Sequence, residues 1–301
     1  MTEIMLETKD LTKQFGKVRS NDSISLHIKQ GEIYGLVGRN GAGKTTLMKM
    51  ICNMYTPTSG SVFIKGEEQR ISHHMPIGAL IEEPALMPNL SAYENILTKC
   101  YLMNIRKPKT HAKELLQYVK LENTKRKRVK DFSLGMRQRV GIALALAGWP
   151  EFILLDEPIN GLDPQGILDI RDMILKIRKE RNITFMISSH LLGELQKIAD
   201  RFGIIAEGKL VKELSATDIA HMGKARLFIR TKTPEKAMKL LKESLPVFDN
   251  GLIQIPYEND EKSYEINKML YKAQIPVDEL YISSQKGEEL FLQLMGGEHY
   301  V

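Results

Sequence analysis

The chain has 301 residues, 43% of them apolar and 27% charged, with a formal net charge of +6. Those values are ordinary for a globular protein with one large domain and a small one. No apolar run approaches the roughly 18 to 20 residues that cross a bilayer, since 141–149 is short and follows Arg137 and Arg139. The opening Met1-Thr2-Glu3-Ile4-Met5-Leu6-Glu7 has neither a basic segment nor a long apolar core, so a cytoplasmic protein without a secretory signal is expected. Cys52 and Cys100 lack CxxC spacing and nearby histidines, which argues for two free thiols over a disulfide or a zinc site. The positive charge is densest at Lys125, Arg126, Lys127, Arg128 and Lys130. No aromatic side chains are interleaved there for base stacking, so a solvated loop face is expected and nucleic acid is not.

In chain order, residues 5–11 and 23–28 alternate apolar with polar and predict early strands, and 32–37 predicts a buried strand running into a glycine loop. A helical pattern from Thr45 carries Leu47, Met50 and Ile51 and ends before Pro57 and Gly60. Strand patterns follow at 61–64 and 77–81. Between Pro84 and Pro150 the character turns helical, with helices over 92–103 and 111–119, which predicts a helical subdomain inserted into an α/β chain. The α/β alternation resumes with strand 152–155, a helix marked by Ile167, Ile170, Ile174 and Ile177, strand 183–187, a helix from Leu191 and strand 202–206. That alternation predicts a parallel sheet with crossover helices. After about Ser215, strands over 225–231, 252–255 and 277–282 alternate with helices over 234–243, 261–272 and 286–295, predicting a small α+β domain at 216–301 beside a main domain at 1–215. The sequence contains no internal repeat and no low-complexity segment.

Five short motifs stand in a fixed order along this chain. The first, Gly38-Arg39-Asn40-Gly41-Ala42-Gly43-Lys44-Thr45-Thr46, satisfies G-x-x-x-x-G-K-T between a strand and a helix. Backbone N–H groups of such a loop surround phosphates, while the positive end of the helix points at them. Lys44 would reach the β- and γ-phosphates, Thr45 would place its hydroxyl on Mg²⁺, and Thr46 would contact a phosphate oxygen. Glu82 follows an apolar run, and Ser133-Leu134-Gly135-Met136-Arg137-Gln138-Arg139 stands within the helical stretch. Leu154-Leu155-Asp156-Glu157 puts two carboxylates at the carboxyl edge of a parallel sheet, where ligands of such sheets sit. There Asp156 would order Mg²⁺ and Glu157 would polarise the attacking water. In Ser188-Ser189-His190 the histidine follows a strand and could donate to a γ-phosphate or cap the next helix.

With these motifs in this order, the chain resembles the ATP-binding subunits of ABC transporters over residues 1 to about 215. The resemblance implies a P-loop NTPase of ABC type that hydrolyses ATP with Mg²⁺ and sandwiches the nucleotide between two subunits. It implies that Ser133 and Gly135 of one subunit contact the γ-phosphate held by Lys44 of the other, and that the loop carrying Asp163 joins the two sites. It further implies that Phe15 stacks on adenine and that Glu82 stands where most members carry a glutamine near the catalytic Mg²⁺. A carboxylate there accepts hydrogen bonds and donates none unless protonated. Leu134 in place of a small residue and Arg39 in place of proline are further departures, which leave the backbone donors intact. Residues 77–88, 132–140 and 291–297 are similar to bacitracin-export and lantibiotic-protection cassettes. That narrower resemblance implies export of, or resistance to, a peptide antibiotic through an integral membrane permease, with the subunit peripheral at the inner face of the membrane. The ATPase would act as a homodimer or beside a related ATP-binding subunit. A soluble ATPase acting on nucleic acid or ribosomes, and a cassette that regulates a membrane sensor, stay open as alternatives.

Overall fold

A computed structural model describes residues 3–69, 75–124, 126–222 and 226–283. The chain divides into two compact units, Met1–Ala216 and Thr217–Val301.

The first unit opens with β1 (Ile4–Phe15) and β2 (Val18–Lys29), long antiparallel strands that share a sheet with β4 (Ser59–Ile64) and β5 (Glu67–Glu68) in the order β2-β1-β4-β5. β3 (Ile33–Val37) belongs to a second sheet and feeds α1 (Lys44–Ile51). That sheet contains β6 (Gly78–Leu80), β7 (Phe152–Asp156), β8 (Thr184–Ser189), β9 (Arg201–Ala206) and β10 (Lys209–Ser215), ordered β10-β9-β3-β8-β7-β6. Its pairings are parallel except where β10 returns antiparallel along β9. Every residue of β3, β7 and β8 is buried. A sheet covered on both faces favours apolar runs, and β3, the residues 152–155 of β7 and 185–187 of β8 supply them.

Between β6 and β7 the chain forms α2 (Ala92–Leu102), α3 (Pro108–Tyr118), two short 3₁₀ turns and α4 (Leu134–Ala145), and α4 packs on β6. The start of α2 is set by a capping box in which Ser91 and Glu94 satisfy each other's backbone N–H groups. α5 (Pro164–Arg181) is capped by Asp163 with proline in the first turn, and short α6 (Leu192–Leu195) follows β8. The core of this unit joins both sheets through α1: Leu47, Met48, Met50 and Ile51 meet Leu6, Leu11 and Ile24 of β1 and β2, Tyr34 and Leu36 of β3, and Leu154 of β7. Burying such side chains contributes about 1.5 to 3 kcal/mol each, and this packing holds the start of α1 beside the ends of β7 and β8.

After α7 (Ala216–Met222), the second unit runs β11 (Arg226–Arg230), α8 (Pro234–Leu240), β12 (Val247–Asp249), β13 (Leu252–Pro256), α9 (Asp260–Lys272) and β14 (Glu279–Ser283). Its antiparallel sheet is ordered β12-β13-β11-β14. Leu227, Ile229, Ile253 and Ile255 pack against Ala237 of α8, Leu241 at its C-terminal cap, and Ile266 and Leu270 of α9.

Several expected elements differ from the observed ones. β2 starts at Val18, five residues before the apolar alternation, because a hairpin at Gly16 pairs its polar beginning with Phe15 and Gln14. β10 is largely exposed and polar, a composition with little strand signal. The helix expected from Leu191 has four residues, and that expected over 234–243 ends at Leu240 before a 3₁₀ turn. The helix expected at 286–295, residue 225 of the strand 225–231 and Lys125 of the basic cluster lie outside the described residues.

Candidate nucleotide site

β3 ends at Val37, and residues 38–43 curl into the first turn of α1. Gly43 caps that helix with φ +102°, and no side chain caps the turn. The leading N–H groups of a helix lack intrahelical acceptors, so this turn presents uncapped donors with the helix dipole behind them. The glycines serve different needs. A Cβ on Gly43 would lie 2.5 Å from the Ser20 carbonyl, and one on Gly38 2.5 Å from the Ile205 carbonyl, so both keep protein backbones close together. Gly41 has open space around it and needs glycine only for its φ of +81°.

Lys44 is buried at 5% exposure and donates to the carbonyls of Gly38 at 2.7 Å and Arg39 at 3.3 Å. It also stands 3.1 Å from Glu157 Oε1. Thr45 Oγ1 donates to Asp156 Oδ2 at 2.6 Å, and Ser188 Oγ donates to Asp156 Oδ1 at 2.5 Å. Hydrogen bonds to a buried carboxylate contribute about 1.5 to 3 kcal/mol each, so Asp156 is held by both oxygens. Ser188 in turn accepts from the Glu157 N–H at 2.9 Å. Glu157 sits at φ +48°, a conformation that costs a residue with a Cβ about 1 to 3 kcal/mol. Oε1 of that side chain has no hydrogen-bond partner among the described residues apart from its ion-pair contact with Lys44, while Oε2 lies 2.9 Å from His190 Nδ1. Thr46 Oγ1 accepts from Ser20 at 3.0 Å.

The structure thus brings together Lys44, Thr45, Asp156, Glu157 and His190 from α1 and the ends of β7 and β8, and adds Ser188, whose role the sequence did not reveal. His190 meets the Glu157 carboxylate in this arrangement, and its Nε2 has no hydrogen-bond partner among the described residues. A neutral ring that donates from Nδ1 can only accept at Nε2, so donation to a phosphate requires the protonated ring or a turn away from Glu157.

Other expected residues lie apart from this cluster. Glu82, expected beside the metal site, has its carboxylate on Lys49 Nζ at 2.6 Å, and no hydrogen bond or ion pair among the described residues joins it to Thr45 or Asp156. The physical reason is local: a left-handed φ of +60° and a nearly buried ammonium near the end of α1. The Glu82 contact raises the Lys49 pKa above its ordinary value. Phe15 is 46% exposed and meets Tyr55 edge to face at 5.6 Å, with Lys13 Nζ over both rings. Tyr55 and Lys13 were not foreseen, because an aromatic after a helix and a lysine in a strand carry no local signal. Ser133 caps α4 by accepting from Met136 N–H at 3.3 Å, and Asp163 caps α5 by accepting from Gly166 N–H at 3.1 Å. A Cβ on Gly135 would touch Leu162, and one on Gly161 would approach Leu134 at 3.1 Å, so the loops at 133–136 and 160–163 pack on each other within one chain. Arg39, Asn40 and Gly41 are exposed beside the glycine loop, with Ala42 buried behind them.

The family profile described as ABC transporter matches residues 21–160. Over 301 residues the chain is 38% identical to the bacitracin transport ATP-binding protein BcrA of Bacillus licheniformis, covering 97% of this chain and 98% of that protein. This chain belongs to the ABC transporter ATP-binding proteins. It is also 42% identical over 209 residues to the lantibiotic transport ATP-binding protein SrtF of Streptococcus pyogenes, covering 69% of this chain and 90% of that protein. Among solved structures, it is similar to a dimeric ATP-binding cassette in a post-hydrolysis state bound to ADP and Pi, with a TM-score of 0.65 and 26% identity over 70% of this chain and 99% of that one. The protein is accordingly an ABC ATPase, the ATP-binding subunit of a transporter.

Proposed function

We infer that this cassette pairs with a second ATP-binding subunit around two Mg-ATP molecules and powers a separate membrane permease that exports, or protects against, antimicrobial peptides of the bacitracin or lantibiotic kind. The observation that carries the substrate class is the identity with BcrA, which spans the second unit as well as the cassette. Among the described residues no helix is long and apolar enough to cross a membrane, so the work on a solute falls to a spanning partner at the inner face, to which this subunit is peripheral.

The residues present fit Mg-ATP. The uncapped first turn of α1 fits phosphate oxygens, and one hydroxyl with one carboxylate, Thr45 and Asp156, fits an ion that takes its remaining ligands from phosphate and water. When bound, Mg²⁺ neutralises charge that develops on the transferred phosphoryl group. Lys44 is positioned to leave Glu157 for the β- and γ-phosphates. Glu157, released from Lys44 and oriented by Ser188 through its own N–H, accepts the proton of the attacking water. Ser133 and Gly135 of the second subunit supply donors to the γ-phosphate from the start of α4, and Asp163 sits in the loop that joins the two sites. Phe15 stacks on adenine.

Deleting the gene in its native host and measuring growth against bacitracin and a lantibiotic tests the substrate class. Restoration of resistance by the wild-type chain, and not by Glu157→Gln, supports it; unchanged sensitivity in the deletion strain overturns it. Purification of the tagged chain from native membranes with Mg-ATP tests the partner, and recovery of no polytopic protein would count against a separate permease.

A further inference from the structure

Charge on this molecule is not spread evenly. Residues 84–150 hold 13 of the 43 Lys and Arg residues but only four of the 37 Asp and Glu residues, so this stretch carries +9 and the remainder of the chain −3. Within it, residues 95–113 contain no acidic side chain at all. Those residues cover most of α2, its connection to α3 and the start of α3, and expose Lys99, Arg106, Lys107, Lys109 and Lys113. None of these five makes an ion pair among the described residues.

The same turn exposes apolar side chains. Tyr101 is 54% exposed, Leu102 76% and Met103 41%, at the last residues of α2 and its cap. A cleft of about 780 Å³ lies beside them, lined by Met103 and Ile105 together with Ile81, Leu144, Trp149 and Phe152. Tyr101 and Leu102 are not among the residues that line it.

We propose that the α2–α3 turn is an anionic-lipid contact: Tyr101 and Leu102 enter the headgroup region of a bilayer while Lys99, Arg106, Lys107 and Lys109 engage acidic headgroups. The physical case rests on the combination. An isolated basic cluster is satisfied by counterions and an isolated apolar tip by a protein groove, but an exposed tyrosine and leucine flanked in the chain by exposed basic residues that make no ion pair among the described residues match the depth profile of a bilayer surface. Each Lys or Arg near an acidic surface strengthens binding by about fivefold at low salt, and the attraction decays within a Debye length. The short length of α2 and the absence of a spanning helix among the described residues make this a contact on the membrane, not through it. It orients the subunit independently of the permease.

The test is flotation of the purified full chain with protein-free vesicles of phosphatidylcholine, with and without 30% phosphatidylglycerol. Binding to the acidic vesicles alone, and its release by 0.5 M NaCl, is expected. Arg106→Gln/Lys107→Gln/Lys109→Gln should weaken partition by about 100-fold and Leu102→Gln by about tenfold, with ATP affinity unchanged in both. The paired control Lys127→Gln/Arg128→Gln removes charge near the other end of α2, where Arg128 pairs with Ser91, and should weaken it at most a few-fold. Equal loss in that control would show that net charge alone binds lipid and would overturn the assignment, as would the absence of binding to the protein-free acidic vesicles. Retained ATP affinity separates either failure from any failure of the ATPase reading.

Discussion

The two ends of the expected ATP sandwich are held in different ways within one chain. At the glycine loop, Lys44, Thr45, Asp156, Ser188, Glu157 and His190 form a continuous network, and Lys44, Asp156 and Ser188 within it are buried. At the start of α4, Ser133 and Leu134 are exposed and the Ser133 hydroxyl only caps its own helix. The first end is preorganised by its own core. The second presents a helix start whose loop packs on residues 160–163 and whose Ser133 hydroxyl, among the described residues, engages only its own helix, which suits a surface that another subunit would complete. The difference teaches that substitutions at the two ends should separate nucleotide binding from turnover.

The largest effect is expected where the network meets the reacting atoms. Glu157→Gln should lower steady-state ATP hydrolysis by at least about 100-fold while nucleotide affinity stays within a few-fold, checked by phosphate release and equilibrium binding. Unchanged hydrolysis would remove Glu157 from the catalytic role. Lys44→Ala attacks the same end differently: it should lose ATP binding as well as turnover, and it also strands Glu157 in a half-buried site. At the other end, Gly135→Asp should reduce hydrolysis by about 100-fold yet leave binding to the single subunit intact. Equal loss of binding in that variant would erase the contrast drawn above.

Glu82→Gln should have a smaller effect on isolated hydrolysis, within about tenfold, because Glu82 contacts Lys49 and not the Asp156 cluster. Its companion Lys49→Met frees the carboxylate, and a change in apparent Mg²⁺ affinity that vanishes in the Glu82→Gln background would show that the pair restrains Glu82. The smallest effect is one of stability. His111 accepts from the Gly148 N–H at 3.1 Å, and burial lowers its pKa below the ordinary 6.5. A histidine whose folded-state pKa is depressed lets the unfolded chain bind the extra proton first, so stability is full above about 6.5 and declines as pH falls below it. The unfolding midpoint should drop between pH 7 and 5 in the wild type, and less steeply in His111→Gln.

Local sequence carried the elements whose residues face one environment throughout. β3, β7 and β8 are buried along their whole length and carry apolar runs at 33–37, 152–155 and 185–187, and the glycine loop, the Asp156-Glu157 pair and Ser188-Ser189-His190 each follow such a run. The ABC family and the α/β class were therefore legible before any coordinates. Elements defined by a distant partner were not. β10 is a polar edge whose pairing to β9 comes from the turn at Gly208, and the first residues of β2 are strand only because the hairpin with β1 places them so. The same holds within the site. Residue types and spacing nominated Lys44, Asp156 and Glu157, whereas the orientation of Glu82 toward Lys49, the Tyr55 edge against Phe15 and the Ser188 bridge from Asp156 to the Glu157 N–H arise between segments far apart in the chain. A motif is a local statement about backbone and charge; the pairing of side chains across the sheet and from α1 is a packing statement, and only the folded core makes it.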